Sequence, residues 1–249
     1  MLTIRVVKIG GSELDDPGWL ARFASAVKAV EPLVVVHGGG RAISRALDAS
    51  GLPVHMRDGI RVTTPQVATV VRQVLCGPVR TNIVGALRAA GVDAVGLAGL
   101  DGLLEVDLVD PAALGRVGTV TAVETEELHE LLAQGKTPVL APVSRGADGG
   151  IVNVNADDAA SAVAGAMGAT ELLLISDVPG VLDGSGVLSA VNGEDVDQLI
   201  RAGVVRDGMA AKLRAAGTAG ATRVRIGNLE LLRSVTAGTV VLRHGRSAA

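Results

Sequence analysis

Aromatic side chains are nearly missing from this 249-residue chain, which has one Trp, one Phe and no Tyr. The shortage argues against a surface that stacks nucleic-acid bases. It also means that the core has to be built from Val, Leu, Ile and Ala. Net charge is −3 with no long basic run, so a binder of phosphate backbones is not expected. A single cysteine, Cys76, rules out an intramolecular disulfide framework. No apolar run approaches the ~18–20 residues of a membrane span, and the N-terminus has no signal-peptide pattern. These absences predict a cytoplasmic protein that engages neither nucleic acid nor membrane.

Several familiar site motifs are missing too. There is no GxxxxGK[ST], and no GxGxxG opens a helix, which weakens Walker-type and dinucleotide readings. No Cys and His cluster has zinc spacing, no GxSxG elbow occurs, and no metal site is read. Lysine is scarce: of 23 basic residues only Lys8, Lys28, Lys136 and Lys212 are lysines, leaving 19 arginines. A lysine placed inside a strand of such a chain points to a need for a compact, flexible ammonium.

Such a strand comes first. Arg5-Val6-Val7-Lys8-Ile9 runs into Gly10-Gly11. Glycines let backbone N–H groups approach an anion, and a helix start behind them adds a favourable dipole. On this stretch alone two readings stand: a phosphate site, or a snorkelling lysine on an edge strand before an ordinary turn. A second unit follows, with the apolar run 33–37 ending at Gly38-Gly39-Gly40 before a helix over about 41–50. His37 reads as a packed strand-end residue.

Further along, strand-like runs alternate with helical patterns, which marks a mainly parallel α/β sheet. Helices are expected over 17–30, 65–90, 124–134, from about 155, and over 193–202, 207–219 and 228–236. Strands are expected over 94–97, 137–141, 172–176, 222–226 and 239–243. A hairpin turns at Asp58-Gly59. In the helix after Pro65, Val67, Val70, Val71, Val74 and Leu75 share a face, and Gly77-Pro78 should kink or break it. Residues 99–123 read as excursions off the main sheet. Asn153, Asn155 and Asp157 precede and open a helix; capping explains one of them, not three.

Taken in order, the segments VKIGGS at 7–12, VVHGGG at 35–40, DGIRVT at 58–63, AVGLAGLDG at 94–102, LGRVG at 114–118, NVNADDAA at 153–160, ISDVPGVLD at 175–183 and DGMAAK at 207–212 resemble the amino acid kinase family. Within it they resemble the branch whose phosphoryl acceptor is N-acetyl-L-glutamate. The resemblance covers nearly the whole chain. It implies one domain, 1–249, folded as a three-layer α/β/α sandwich on a mainly parallel sheet. An N-terminal lobe of about 1–170 would hold the acceptor, and a C-terminal lobe of about 171–249 would hold ATP. The implied reaction moves the ATP γ-phosphoryl onto the side-chain carboxylate, the second step of the acetylated route to ornithine and arginine.

The resemblance also implies roles. Lys8 and Lys212 would stabilise the phosphoryl group in flight, Asp157 would orient both lysines, and Gly11 would offer a backbone N–H. Gly39 and Gly40 would line the acceptor, Arg61 would grip its α-carboxylate, and Asn153 would read its acetamido side. Gly10, Asp177, Val178, Pro179, Gly180, Val181, Leu182, Val204, Val205 and Arg206 would hold the nucleotide. Mg2+ would ride on ATP and water, since no carboxylate cage is visible. A homodimer through the helix after Pro65 is implied. Two departures stand out. Gly77-Pro78-Val79-Arg80-Thr81 replaces a frequent Gly-x-Val-Asn-Lys run, and the chain starts at the first strand, which predicts no arginine feedback and no hexamer. Two rival expectations are a kinase of carrier-protein-linked aminoadipate or glutamate, and a non-catalytic sensor of amino acid or nucleotide.

Overall fold

The computed structural model describes residues 3–192, 195–205 and 207–242. Leu33–His37, Thr137–Ala141 and Glu171–Ile175 are buried at every position. Such strands need cover on both faces, which a parallel sheet between two helical layers provides. Arg5–Ile9 lies between Leu33–His37 and Glu171–Ile175, parallel to both. The full sheet has eight strands in the order Ala190–Asn192, Thr239–Leu242, Arg223–Gly227, Glu171–Ile175, Arg5–Ile9, Leu33–His37, Thr137–Ala141, Ala94–Ala98. Only Arg223–Gly227 and Thr239–Leu242 pair antiparallel.

Strand alternation sorts the side chains onto two faces. Val6, Val34, Val36, Leu172 and Leu174 pack with Ala159, Val163, Leu213 and Ala216 of the helices Ala156–Ala166 and Asp207–Thr218. Val7, Ile9, Val35 and Leu173 pack with Phe23, Leu47 and Val71 of the helices Pro17–Lys28, Gly40–Ala49 and Pro65–Val74. The result is the expected three-layer sandwich. Lys8 shares the face of Val6, so its side chain runs toward the helix Ala156–Ala166. It is central in the sheet and 6% exposed, which removes the edge-strand reading.

Local chemistry explains most boundaries. Pro17 opens its helix behind Asp16, whose side chain accepts from the Gly18 N–H. Asp58 and Gly59 both have positive φ, 51° and 80°, as a type I′ hairpin turn requires. Thr64 caps the helix Pro65–Val74, which passes through a π turn, Leu75–Val79, into Arg80–Ala89. Gly77 leaves helical geometry there (φ −101°, ψ −114°), at the expected break.

One expectation is borne out and sharpened, and one needs correction. Residues 99–123 do leave the main sheet: Leu104–Leu108 and Val117–Val123 join Ile151–Val154 and Val143–Arg145 in a second, four-stranded sheet. A bulge between Glu105 and Val106 breaks the alternation that would have announced the pairing. The helix expected over 228–236 is a single 3-10 turn, Leu229–Leu232, opened by Asn228.

The C-terminal part depends on one buried cation. Arg225 is 1% exposed, and its Nε donates to Glu171 Oε1 at 2.7 Å. Its other nitrogens donate to the carbonyls of Leu231, Ser234 and Ala237. One side chain thus ties a central strand to the irregular segment that delivers Thr239. Leaving Glu171 and three carbonyls without this donor is expensive. Arg225→Leu should lower the unfolding free energy by about 3–5 kcal/mol in urea titrations. Adding Glu171→Leu should restore part of that loss.

Candidate functional site

Three glycine-rich or polar turns leave the sheet at the carboxyl ends of adjacent strands, where ligands bind in open α/β folds. They are Gly10-Gly11, Gly38-Gly39-Gly40 and Ser176-Asp177. The first two touch: the Gly38 N–H donates to the Ile9 carbonyl at 2.8 Å. Gly11 has φ 92°, a backbone state open to glycine and strained for other residues. Gly39 is needed for space, because a Cβ there would lie 2.6 Å from Leu75 of the π turn.

The helix Ala156–Ala166 opens beneath these turns, and its first residues divide the labour. Asn155 is the cap, accepting from the N–H groups of Asp157 at 2.8 Å and Asp158 at 3.4 Å. Asp157 is released from capping and receives two lysines. Lys8 Nζ lies 3.0 Å from its Oδ1, and Lys212 Nζ lies 3.4 Å from its Oδ2. Lys212 comes from the helix Asp207–Thr218, 55 residues further along the chain.

Two ammonium groups therefore share one carboxylate in a nearly dry place. Burial pulls the Lys8 ammonium down from its ordinary range to about 8, with Asp157 opposing and Lys212 assisting. Burial acts upward on Asp157, but Lys8 and Lys212 outweigh it and hold the carboxyl below its usual range. Two ammonium groups on one carboxylate leave the pairing itself with an excess positive charge, which favours an anion.

A cavity of about 340 Å³ opens next to it, lined by Gly10, Gly11, Glu13, Ile175, Ser176, Asp177, Val178, Gly208, Met209 and Lys212. Five of the residues expected from the sequence meet here: Gly10, Gly11, Asp177, Val178 and Lys212. Gly180 and Val181 instead pack inward, with the Val181 N–H bound to Thr239 Oγ1 at 2.9 Å. Leu182 and Val204 are exposed, Pro179 is at the surface, and Val205 is buried. Arg206 lies outside the described residues. Glu13 escaped the sequence reading, since one acidic residue after a glycine turn looks like a first-turn helix carboxylate.

Across the glycine turns, the hairpin brings in Arg61. Its Nη2 donates to the Gly40 carbonyl at 3.2 Å and to Ser44 Oγ at 3.0 Å. Its Nη1 is buried with no acceptor. Asn153 Nδ2 donates to Thr63 Oγ1 at 3.2 Å, and that hydroxyl donates to the Arg61 carbonyl at 2.7 Å. Thr63 is fully buried and had no sequence signal beyond its place after Arg61. The contacts form a ring: Ile9 to Gly38, Gly40 to Arg61, Thr63 to Asn153, and Asp157 back to Lys8. His37 supports it from below as a packed residue. Its Nδ1 lies 3.0 Å from the Gly38 carbonyl, and burial depresses its basicity to about 4.

Charge at Lys8 is held against its own desolvation, so the site costs stability. The native pKa of about 8 lies below the ordinary 10.5, so the unfolded chain binds more protons between those values. The penalty is complete below pH 8 and is relieved as pH rises toward 10.5. In urea titrations the wild type should therefore gain stability as pH rises from 8 toward 10, and Lys8→Met should lack that gain.

Comparison with known proteins identifies the family. The model of the amino acid kinase family matches residues 3–228. An acetylglutamate kinase of Chloroflexus aurantiacus is 49% identical over 237 residues, 92% of this chain and 93% of that protein. One from Roseiflexus castenholzii is 42% identical over 247 residues, 96% and 94% of the two chains. Among solved structures, the Streptococcus mutans protein smu.665 superposes with TM-score 0.84 at 32% identity, over 97% of this chain and 99% of that one. The fold is also that of a Giardia lamblia carbamate kinase bound to AMP-PNP, with TM-score 0.68 at 15% identity over 97% and 98% of the chains. A family match over most of its length and near-full-length relatives make this chain a member of the amino acid kinase family.

Proposed function

We propose that the chain acts as an acetylglutamate kinase, transferring the γ-phosphoryl of ATP to the side-chain carboxylate of N-acetyl-L-glutamate. The names of relatives up to 49% identical over nearly the full length support this reading. The observation that carries it is the pairing of Lys8 and Lys212 on Asp157, beside two glycine turns and a cavity of about 340 Å³.

The chemistry follows from charge. A carboxylate acceptor is already a nucleophile and needs no general base. What it needs is alignment with a second anion and relief of their mutual repulsion. Lys8 and Lys212 supply two positive charges at the point of transfer, and Asp157 holds both in place. The Gly11 and Gly39 turns bring backbone N–H groups close to the phosphoryl oxygens. Arg61, with one buried nitrogen unused, receives the α-carboxylate of the acceptor, and Asn153 takes its acetamido group. Gly10 and the 177–182 and 204–206 segments belong to the nucleotide side.

ATP is taken as its Mg2+ complex, in which the metal neutralises phosphate charge. Free rather than carrier-linked acceptor is favoured by the names of the near-full-length relatives. A cytoplasmic homodimer is part of the same proposal.

Incubation with MgATP, N-acetyl-L-glutamate and hydroxylamine should trap the acyl phosphate as a hydroxamate. Turnover confined to a carrier-linked acceptor, or absent altogether, would sink the proposal. Lys8→Ala and Lys212→Ala should each lower kcat by about 10²–10³-fold, the usual cost of one transition-state donor. Arg61→Ala should act mainly on KM for the acceptor. Since Lys8 works as an ammonium, kcat/KM should fall above an apparent pKa near 8.

A further inference from the structure

One group in the cavity beside Lys212 has no part in the reaction above. Glu13 sits in the 3-10 turn Ser12–Asp15 and lines the cavity together with Gly11, Asp177 and Lys212. Its side chain folds back over Gly11, where a methyl group on the glycine would collide with Oε2. That oxygen is buried and accepts no hydrogen bond. The nearby lysines do not answer it, because Lys8 and Lys212 both turn to Asp157. A second carboxylate, Asp177, lines the same space and accepts only from Ser176 Oγ among the described hydrogen bonds.

A desolvated carboxylate oxygen without a donor is unfavourable until a cation or a donor reaches it. Glu13 as a residue lines a cavity that, on the kinase reading, receives a triphosphate. A free triphosphate would meet Glu13 as a like charge at close range in a poorly hydrated site. A magnesium-complexed triphosphate carries less negative charge, and magnesium keeps several of its waters when bound. Those waters are donors suited to a carboxylate lining the cavity. Resting on the kinase reading, we propose that Glu13 makes the site select the magnesium complex of the nucleotide over the free nucleotide.

Calorimetric binding of a non-hydrolysable ATP analogue, with magnesium and with EDTA, tests this without turnover. The wild type should prefer the magnesium form. In Glu13→Gln the ratio of the two dissociation constants should shrink about tenfold, chiefly through tighter binding of the free analogue. Glu13→Ala, the second neutral variant, should show the same change. An unchanged ratio in both variants overturns the inference. Equal weakening of both forms does so too, since Glu13 would then be an ordinary acceptor for the nucleotide. If the wild type binds neither form, the kinase reading fails first and this inference with it.

Discussion

Everything at the site depends on a lysine held where a lysine is least comfortable. Lys8 lies in the middle strand of the sheet, dry on both sides, and only Asp157 keeps its charge in place. The arrangement is poor for stability, since burying charges costs more than pairing them returns unless geometry is very good. It is useful for chemistry, because a charge already stripped of water does not have to be desolvated when a phosphoryl group arrives. The sheet around it is correspondingly apolar, with Val6, Val7 and Ile9 fully buried.

The same logic explains the use of glycine next to the lysine. A side chain at position 10 would come within 3.1 Å of Lys8 Nζ, and one at position 39 would strike Leu75. Glycine is kept at both places for access rather than flexibility. Small residues recur in the helix below, where Ala159, Ala160 and Ala164 let it settle close to the strands. Close approach of that helix is what puts Asp157 within reach of Lys8.

Much of this was legible in the sequence, for identifiable reasons. Runs such as Leu33–His37 are long and uniform enough to declare a doubly covered strand, and Asp58-Gly59 names its own turn. The excess of polar residues at 153–157 was legible as a cluster, but its division was not. Which residue caps the helix, which meets the lysines and which meets Thr63 follows from three-dimensional packing. The small second sheet was hidden by a bulge. Arg225 was hidden because three of its four partners, the carbonyls of Leu231, Ser234 and Ala237, are backbone and leave no trace in residue identities. Glu13 was hidden for the opposite reason: what marks it is a missing partner.

The place of the first strand has a consequence for how the chain is made. Arg5–Ile9 is synthesised well before one of its flanking strands, Glu171–Ile175. Until then its edge on that side has nothing to pair with, and contacts this distant in sequence form slowly. Lys8 meets Asp157 late and Lys212 later still. The nascent protein therefore carries an open, strongly apolar strand through most of its synthesis, the kind of edge that chaperones cover. The central position that shields Lys8 from water in the finished enzyme leaves one edge of its strand bare until Glu171–Ile175 is made.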